Sequence, residues 1–415
     1  MEKHRLSSRA FTRNRLLNFP TLILYLLNLR KHSNQVELDQ FFQTINDKKE
    51  PSQYITKSAF FQARKQLSPS VFAELNRQLN DDLYSDHNHY TMWKGHRLCA
   101  IDGTSIRLPK EPDIKAHFGV QNGKANQAEC VMGMASVFYD VLNHIVIDST
   151  VEPKGTSERR CAAEHLEQSN ANDLVLYDRG YNAFWLYSLH SMRHIDFCMR
   201  ARTKRDLFVK EFVVSGKMEA IVTLEPNKSS IKTCEEKGFP ITPIKLRLVR
   251  VDLPNEVEVL ITNLLDTKAY DYSIFKSLYH LRWGIEENYK RLKQWVEVEN
   301  FSGKSALSVQ QDFYAKILAM NLSALMAMAA QKTVTKKKGH RRLKYQINFA
   351  QALSKMKHRI VVLILQSSQD IKHLIRSTVL YISQTIEAVR AGRTAPRKLK
   401  NIKNDIHFPA YKSAL

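Results

Sequence analysis

The chain has 415 residues, enough for two or three domains and a sizeable core. Its 63 Lys and Arg against 41 Asp and Glu leave a net charge of +22, which points to a polyanionic partner, nucleic acid ahead of an anionic membrane surface. A hydrophobic content of 43% excludes a disordered basic tail, and five scattered cysteines with no Cys-x-x-Cys pair exclude a zinc motif or a disulfide framework and fit a reducing cytosol.

Residues 1–90 read as helices. One spans 19–29, after Arg5, Arg9, Arg13 and Arg15. Its apolar run 22–29 is too short to span a bilayer and has no small-residue cleavage site after it, so it reads as a buried helix. A second helix covers 36–45. Thr56 caps a third, and Ser68-Pro69 opens a fourth that runs to Leu83. Gln62, Arg64 and Lys65 give the third helix a polar, basic face. Two readings of that face stand side by side: a helix-turn-helix-like reader of DNA, or a packing module with a solvated surface.

Residues 84–94 read as a linker, and strand patterning follows. Residues 97–101 lead into Asp102-Gly103. Residues 130–139 and 144–151 flank a hairpin turn at 140–143. A helix spans 157–168, and 173–177 is a short buried strand that ends at Asp178-Arg179-Gly180-Tyr181. A further helix (183–192) and strand (195–199) follow. Two strands thus end in Asp with Gly close behind. A buried strand-end Asp needs a partner, a hydrogen bond or a metal, and in open α/β sheets this edge is where ligands bind. The alternative is that each Asp merely caps a turn.

Residues 206–265 interrupt the alternation with turn signals at Ser215-Gly216, Pro226-Asn227, Lys237-Gly238 and Pro254-Asn255, and read as an inserted β-subdomain with one basic face. Residues 279–296 then form one helix. Tyr279, Arg282, Glu286 and Lys293 follow the spacing Y-x2-R-x3-E-x6-K and share an arc of roughly 60° at 100° per residue. Lys290 and Trp283 extend that arc, while Leu281, Ile285, Tyr289, Leu292 and Val296 make a separate core stripe. The polar arc is expected to turn away from the core, with i,i+4 pairs between Glu286 and Lys290 and between Glu287 and Arg291. A long core helix covers 312–331, a basic connection runs from Lys336 to Lys344, and a basic tail carries Arg393, Arg397, Lys398, Lys400 and Lys403.

Asp102, Asp178 and Glu286 come from two strand ends and one helix. Three such acids can serve two divalent ions about 3.5–4 Å apart in in-line phosphoryl transfer. With these motifs the sequence resembles the DDE transposases of the insertion sequence four family, over about residues 95–300. That family carries a first Asp followed by Gly, an Asp-x-Gly-aromatic second acid, and a Y-x2-R-x3-E-x6-K helix; here they stand as Asp102-Gly103, Asp178-Arg179-Gly180-Tyr181, and Tyr279, Arg282, Glu286 and Lys293.

The resemblance implies an RNase H-like α/β core. Its first part is residues 91–205 and its second is 266–332, with the β insertion at 206–265. A helical DNA-binding region at 1–90 and a basic helical region at 333–415 flank it. It implies Asp102, Asp178 and Glu286 as catalytic residues and metal ligands for two Mg²⁺ ions, with Mn²⁺ as a substitute. Tyr279, Arg282 and Lys293 then grip phosphates of double-stranded DNA, with Lys290 on the same positive face. Trp283 is placed for either base stacking or packing. Element ends and target DNA are the expected partners, a homodimer forms on DNA, no membrane is involved, and the location is the cytoplasm. The rival reading is a domesticated or inactive DNA-binding protein on the same scaffold.

Overall fold

A computed structural model describes residues 2–29, 31–46, 54–121, 129–203, 205–254, 256–338, 341–357, 359–365 and 370–389. Four helices come first: α1 (Phe19–Leu27), α2 (Asn34–Ile45), α3 (Lys57–Arg64) and α4 (Ser70–Tyr84). Asn18 caps α1 by accepting from the Thr21 amide at 3.0 Å, and Thr56 caps α3 by accepting from the Ala59 amide at 3.2 Å. The core begins with β1 (Arg97–Leu108) and α5 (Pro112–Phe118), then the hairpin β2 (Val131–Asp140) and β3 (Ile145–Pro153). After it come α6 (Glu158–His165), β4 (Asp173–Tyr177), α7 (Phe184–Arg193) and β5 (Asp196–Arg200).

One sheet of eight strands organises the chain, in the order β3-β2-β1-β4-β5-β8-β7-β6, where β6 is Glu219–Leu224, β7 Ile244–Asp252 and β8 Val257–Thr262. β1, β4 and β5 are mutually parallel, and the neighbours on either side run antiparallel. Strand side chains alternate between faces. Leu98 and Ala100 of β1 therefore join one core, while Cys99 and Ile101 join the other. The first core is filled by the N-terminal helices and α12 (Ala306–Lys338), a helix long and apolar enough to cross a membrane but with 67% of its apolar window buried inside the protein. The second core lies under α6 and α7.

Residues 206–265 differ from the all-β expectation. They hold two helices, α8 (Leu207–Val214) and α9 (Lys228–Lys237), and their strands extend the main sheet through the β5–β8 pairing. Three of the four signals read as strand turns are helix ends: Ser215 closes α8, Asn227 caps the start of α9, and Gly238 closes it at φ +68°, while the fourth, at Pro254, does join β7 to β8. The alternation of β7 holds at Ile244, Leu246 and Leu248, but Arg247 is fully buried. It is bound to Glu219 and to the carbonyls of Leu264 and Tyr270, so it is absent from any basic face.

The expected single helix over 279–296 is three pieces: α10 (Ile274–His280), α11 (Trp283–Lys290) and a widened π turn, Arg291–Trp295. The Val296 amide reaches back five residues to the Arg291 carbonyl at 3.0 Å, which rotates everything beyond Lys290 relative to a regular helix. The C-terminal region adds α13 (Phe349–Met356), α14 (Arg359–Leu365), α15 (Ile371–Ser383) and a two-stranded ribbon of β9 (Lys344–Ile347) and β10 (Ile386–Val389). The basic tail from Arg393 to Lys403 lies outside the described residues.

Candidate active site

β1 and β4 pair in parallel with Ala100 opposite Leu176. Two residues further along each strand stand Asp102 and Asp178. Extending the register brings the two acids side by side, on the face of Leu98, Ala100, Leu174 and Leu176. Asp178 uses one oxygen to close its turn, whereas β1 does not end at Asp102 as the sequence suggests but runs on to Leu108, held by its pairing with β2, so Asp102 uses one oxygen on the next residue of its own strand. The Gly103 amide donates to Asp102 Oδ1 at 2.9 Å, and the Gly180 amide donates to Asp178 Oδ1 at 2.6 Å. A methyl group at position 180 would stand 2.8 Å from that Asp178 oxygen, so the close approach needs glycine. Arg159 and Arg202 donate to the Gly180 carbonyl at 2.8 and 3.0 Å and hold the loop from behind.

The signature helix lies across this edge. Ile285 and Tyr289 sink into the core, and the Tyr289 hydroxyl donates to the Asp102 carbonyl. That arrangement turns Arg282 and Glu286 toward Asp102. Arg282 Nη2 is 3.0 Å from Glu286 Oε1, and Nη1 is 3.9 Å from Asp102 Oδ2. The guanidinium lies 5.7 Å from the Tyr279 ring and 5.5 Å from the Trp283 ring. Its Nε is buried with no hydrogen-bond partner among the described residues.

The polar arc therefore does not turn away from the core. Tyr279 is 8% and Arg282 9% exposed, because this face is pressed onto the sheet edge. The Tyr279 hydroxyl donates to the Tyr177 carbonyl at 3.1 Å, just before Asp178. The expected i,i+4 pairs are also rearranged: Glu286 pairs back to Arg282, and Glu287 pairs with Lys290. Lys293, beyond the helix break, donates to Thr104 Oγ1 at 2.9 Å and to the Ser105 carbonyl at 2.7 Å, which ties the helix to β1. Lys290 and Trp283 stay exposed, and Trp283 borders a groove of about 870 Å³ lined also by Arg200, Glu258, Lys276 and Tyr279.

On α3 the structure corrects one residue. Arg64 is 2% exposed and donates to Gln311, Ser302, the Ser308 carbonyl and Asp312, so it docks α3 onto α12 and faces no DNA. A long cation at helical spacing looks solvated in sequence; here its partners lie some 240 residues away. Gln62 and Lys65 are exposed.

Among the described residues, no three His, Cys, Asp or Glu side chains form a ready-made metal cage. Arg282 occupies the gap between Asp102 and Glu286. The donor set still suits a hard divalent cation. Such ions take oxygen ligands and need only one or two carboxylates beside phosphate and water. Burial pushes the Asp102 carboxyl up to about 7, opposed by the Gly103 amide and Arg282 and reinforced by the charges of Asp178 and Glu158. A cation at Asp102 Oδ2, closer than the Arg282 guanidinium at 3.9 Å, would favour the charged form.

Sequence reasoning missed two contributors here. The sequence pattern puts Tyr289 only on the core stripe, yet its hydroxyl fixes the Asp102 backbone. Glu158 was read only as part of a helix. An acid in a first helical turn gives no signal beyond the helix dipole, and only the fold brings it to Gly103.

Residues 93–322 match the family model described as Transposase DDE domain. The chain is 25% identical over 271 residues to Transposase InsG for insertion sequence element IS4 of Escherichia coli (strain K12), an alignment covering 65% of this chain and 60% of that protein. It is 28% identical over 127 residues to the Putative transposase InsZ of the same organism, covering 30% of this chain and 42% of that one. The chain thus spans less than two thirds of either curated relative. Among solved structures it is similar to a piggyBac transposase synaptic complex with hairpin DNA, with a TM-score of 0.40 and 10% identity over 87% of this chain and 74% of that one. With more than half its length matched by the model, over the segment that carries all three acids, the chain belongs to the Transposase DDE domain family.

Proposed function

We propose that this protein is a DNA transposase of the insertion sequence four type. In this reading it binds the ends of its element and catalyses metal-dependent strand cleavage and strand transfer. One observation carries the reading. Asp102 stands on β1 just beyond the end of its pairing with β4, Asp178 directly follows β4, and the signature helix lies across them so that Arg282 joins Glu286 to Asp102. The strand order β3-β2-β1-β4-β5 and the family match support an RNase H-like core.

Asp102, Asp178 and Glu286 would hold two divalent ions, with Mg²⁺ as the natural choice and Mn²⁺ as a substitute. Bound there, the ions supply Lewis acidity for attack at a phosphate and for departure of the leaving oxygen. Arg282 is placed to trade its carboxylate partners for a DNA phosphate. Tyr279 braces the strand end before Asp178, and Lys290 and the exposed indole of Trp283 face the incoming strand. The N-terminal region, with Gln62 and Lys65 outward, would read the element's ends. A homodimer on double-stranded DNA and a cytoplasmic location complete the proposal.

The test uses duplexes carrying the inverted repeats that flank the gene. Nicking at the repeat boundary in Mg²⁺, absent in EDTA, is expected. Specific binding with no cleavage in Mg²⁺ or Mn²⁺ would replace the proposal with an inactive DNA-binding protein on the same scaffold.

A further inference from the structure

Glu158 opens α6, which packs under the second core and reaches the sheet edge beside β1. The residue is exposed overall, yet its carboxyl lies against the backbone of Gly103. A methyl group on Gly103 would stand 2.8 Å from Glu158 Oε1 and 3.1 Å from its Cδ, so a side chain there would displace the carboxylate. Gly103 is also the residue whose amide holds Asp102 Oδ1. Glu158 and Asp102 therefore flank the same peptide unit.

A second observation points into the same space. The Tyr181 hydroxyl is buried, in a residue only 1% exposed, and no partner within hydrogen-bond distance satisfies it among the described residues. The charges that act on it come from Asp102, Glu158 and Asp178. A buried hydroxyl without a partner is costly, so the space it faces is one that a polar ligand would complete. Charge counting agrees. Arg282 cancels one of the three negative charges of Asp102, Asp178 and Glu286. A fourth carboxylate restores it, and a pair of divalent ions gains from that restoration.

We propose that Glu158 is a fourth carboxylate of the divalent-cation site, seated against Gly103 beside Asp102, with the Tyr181 hydroxyl facing the same space. The inference rests on the metal-site reading above and adds to it a residue outside the signature motifs. Gly103, which stands inside β1 where no turn calls for it, then has a role: it leaves room for this carboxylate.

The experiment titrates the full-length protein with Mn²⁺ and reads the free-ion electron paramagnetic resonance signal, so that no DNA or turnover is needed. Melting in EDTA checks folding. Glu158→Gln is expected to weaken Mn²⁺ binding at least fivefold or to remove one bound ion. Gly103→Ala, which displaces the carboxylate without removing it, should move in the same direction. Glu158→Asp should recover part of the loss. Wild-type Mn²⁺ binding in both Glu158→Gln and Gly103→Ala, with Asp102→Asn impaired, would overturn the role of Glu158 and leave the metal site intact. Wild-type binding in Asp102→Asn and Asp178→Asn as well would overturn the metal-site reading, and this inference with it.

Discussion

The β1–β4 pairing has charged residues at both ends, buried at one and half-buried at the other, and the two ends are built differently. At the entry, Arg97 and Asp173 are opposite one another and fully paired: Nε to Oδ1 at 2.6 Å and Nη2 to Oδ2 at 2.7 Å. The Tyr84 ring lies 4.3 Å from the guanidinium, and the Asn170 amide donates a further 2.9 Å bond to Asp173. At the exit, two aspartates stand side by side, and the nearest cation is 3.9 Å from Asp102 Oδ2. The same strands, with the same register, satisfy an acid completely in one place and leave it short in the other. Stability alone would favour the first arrangement at both ends. The second makes sense where a ligand brings the missing positive charge.

The largest expected effect separates the two ends by activity. Asp102→Asn, Asp178→Asn and Glu286→Gln should each reduce Mg²⁺-dependent strand cleavage by about 10⁴-fold or more, roughly 5 kcal/mol of transition-state stabilisation. End binding should persist in gel shifts. Cleavage near the wild-type rate in any one of them would remove that acid from the site.

The entry end should answer in stability. Arg97→Ala leaves Asp173 buried without its cation and should cost about 3–5 kcal/mol in urea unfolding. Arg64→Ala belongs to the same class, since it strips the buried Asp312 of its guanidinium partner, and a loss of about 3 kcal/mol is expected with little change in DNA affinity. A fall in DNA affinity with unchanged stability would return Arg64 to the DNA-binding face.

Asp102 adds a pH signature that the paired end lacks. Its folded pKa of about 7 lies above the ordinary 3.8, so between those values the folded protein holds a proton that the unfolded chain has released. The stability associated with that proton is fully present below the ordinary pKa and is lost as pH rises through about 7. In EDTA, the unfolding free energy of Asp102→Asn relative to wild type should therefore climb from pH 5 to about pH 7 and level off above it, with a slope of at most about 1.4 kcal/mol per pH unit. A difference that stays flat with pH would mean the carboxylate is already satisfied.

The same contrast explains what could be read before the fold was known. Caps and short turn signals are local, and they give β4, the Asp178 turn after it and the hairpin turn, but the Asp-Gly pair at 102–103 signals a strand end where β1 continues to Leu108. Two kinds of feature were not legible. Arg64 and Arg247 look like surface cations because their partners, Asp312 and Glu219, are remote in sequence. Glycine and asparagine at 216, 227 and 238 mark helix ends as readily as hairpin turns, so residues 206–265 read as a β-subdomain although they hold α8 and α9. Glu158 carries no motif at all; its position follows from α6 crossing β1.

The smallest effect sorts the signature helix's own lysines into the two kinds. Lys293 resembles the entry end: it is bound to Thr104 and Ser105 through two internal hydrogen bonds. Lys290 is 59% exposed and, among the described residues, pairs with Glu287, an exposed pair worth under about 1 kcal/mol. Lys290→Ala should thus leave unfolding nearly unchanged. If its ammonium meets a phosphate, the slope of log affinity against log salt becomes shallower by about 0.9, equally on every sequence, because the contact reads charge and not bases. Lys293→Ala should do the reverse, costing about 1–2 kcal/mol in stability through two lost hydrogen bonds and leaving the salt slope alone. Both variants are measured in Ca²⁺, to allow binding without cleavage, on pre-cleaved end duplex across a salt series. A changed slope for Lys293→Ala with unchanged unfolding would mean that its bonds to β1 are surrendered to DNA, and the helix would then present its whole basic arc to the phosphates.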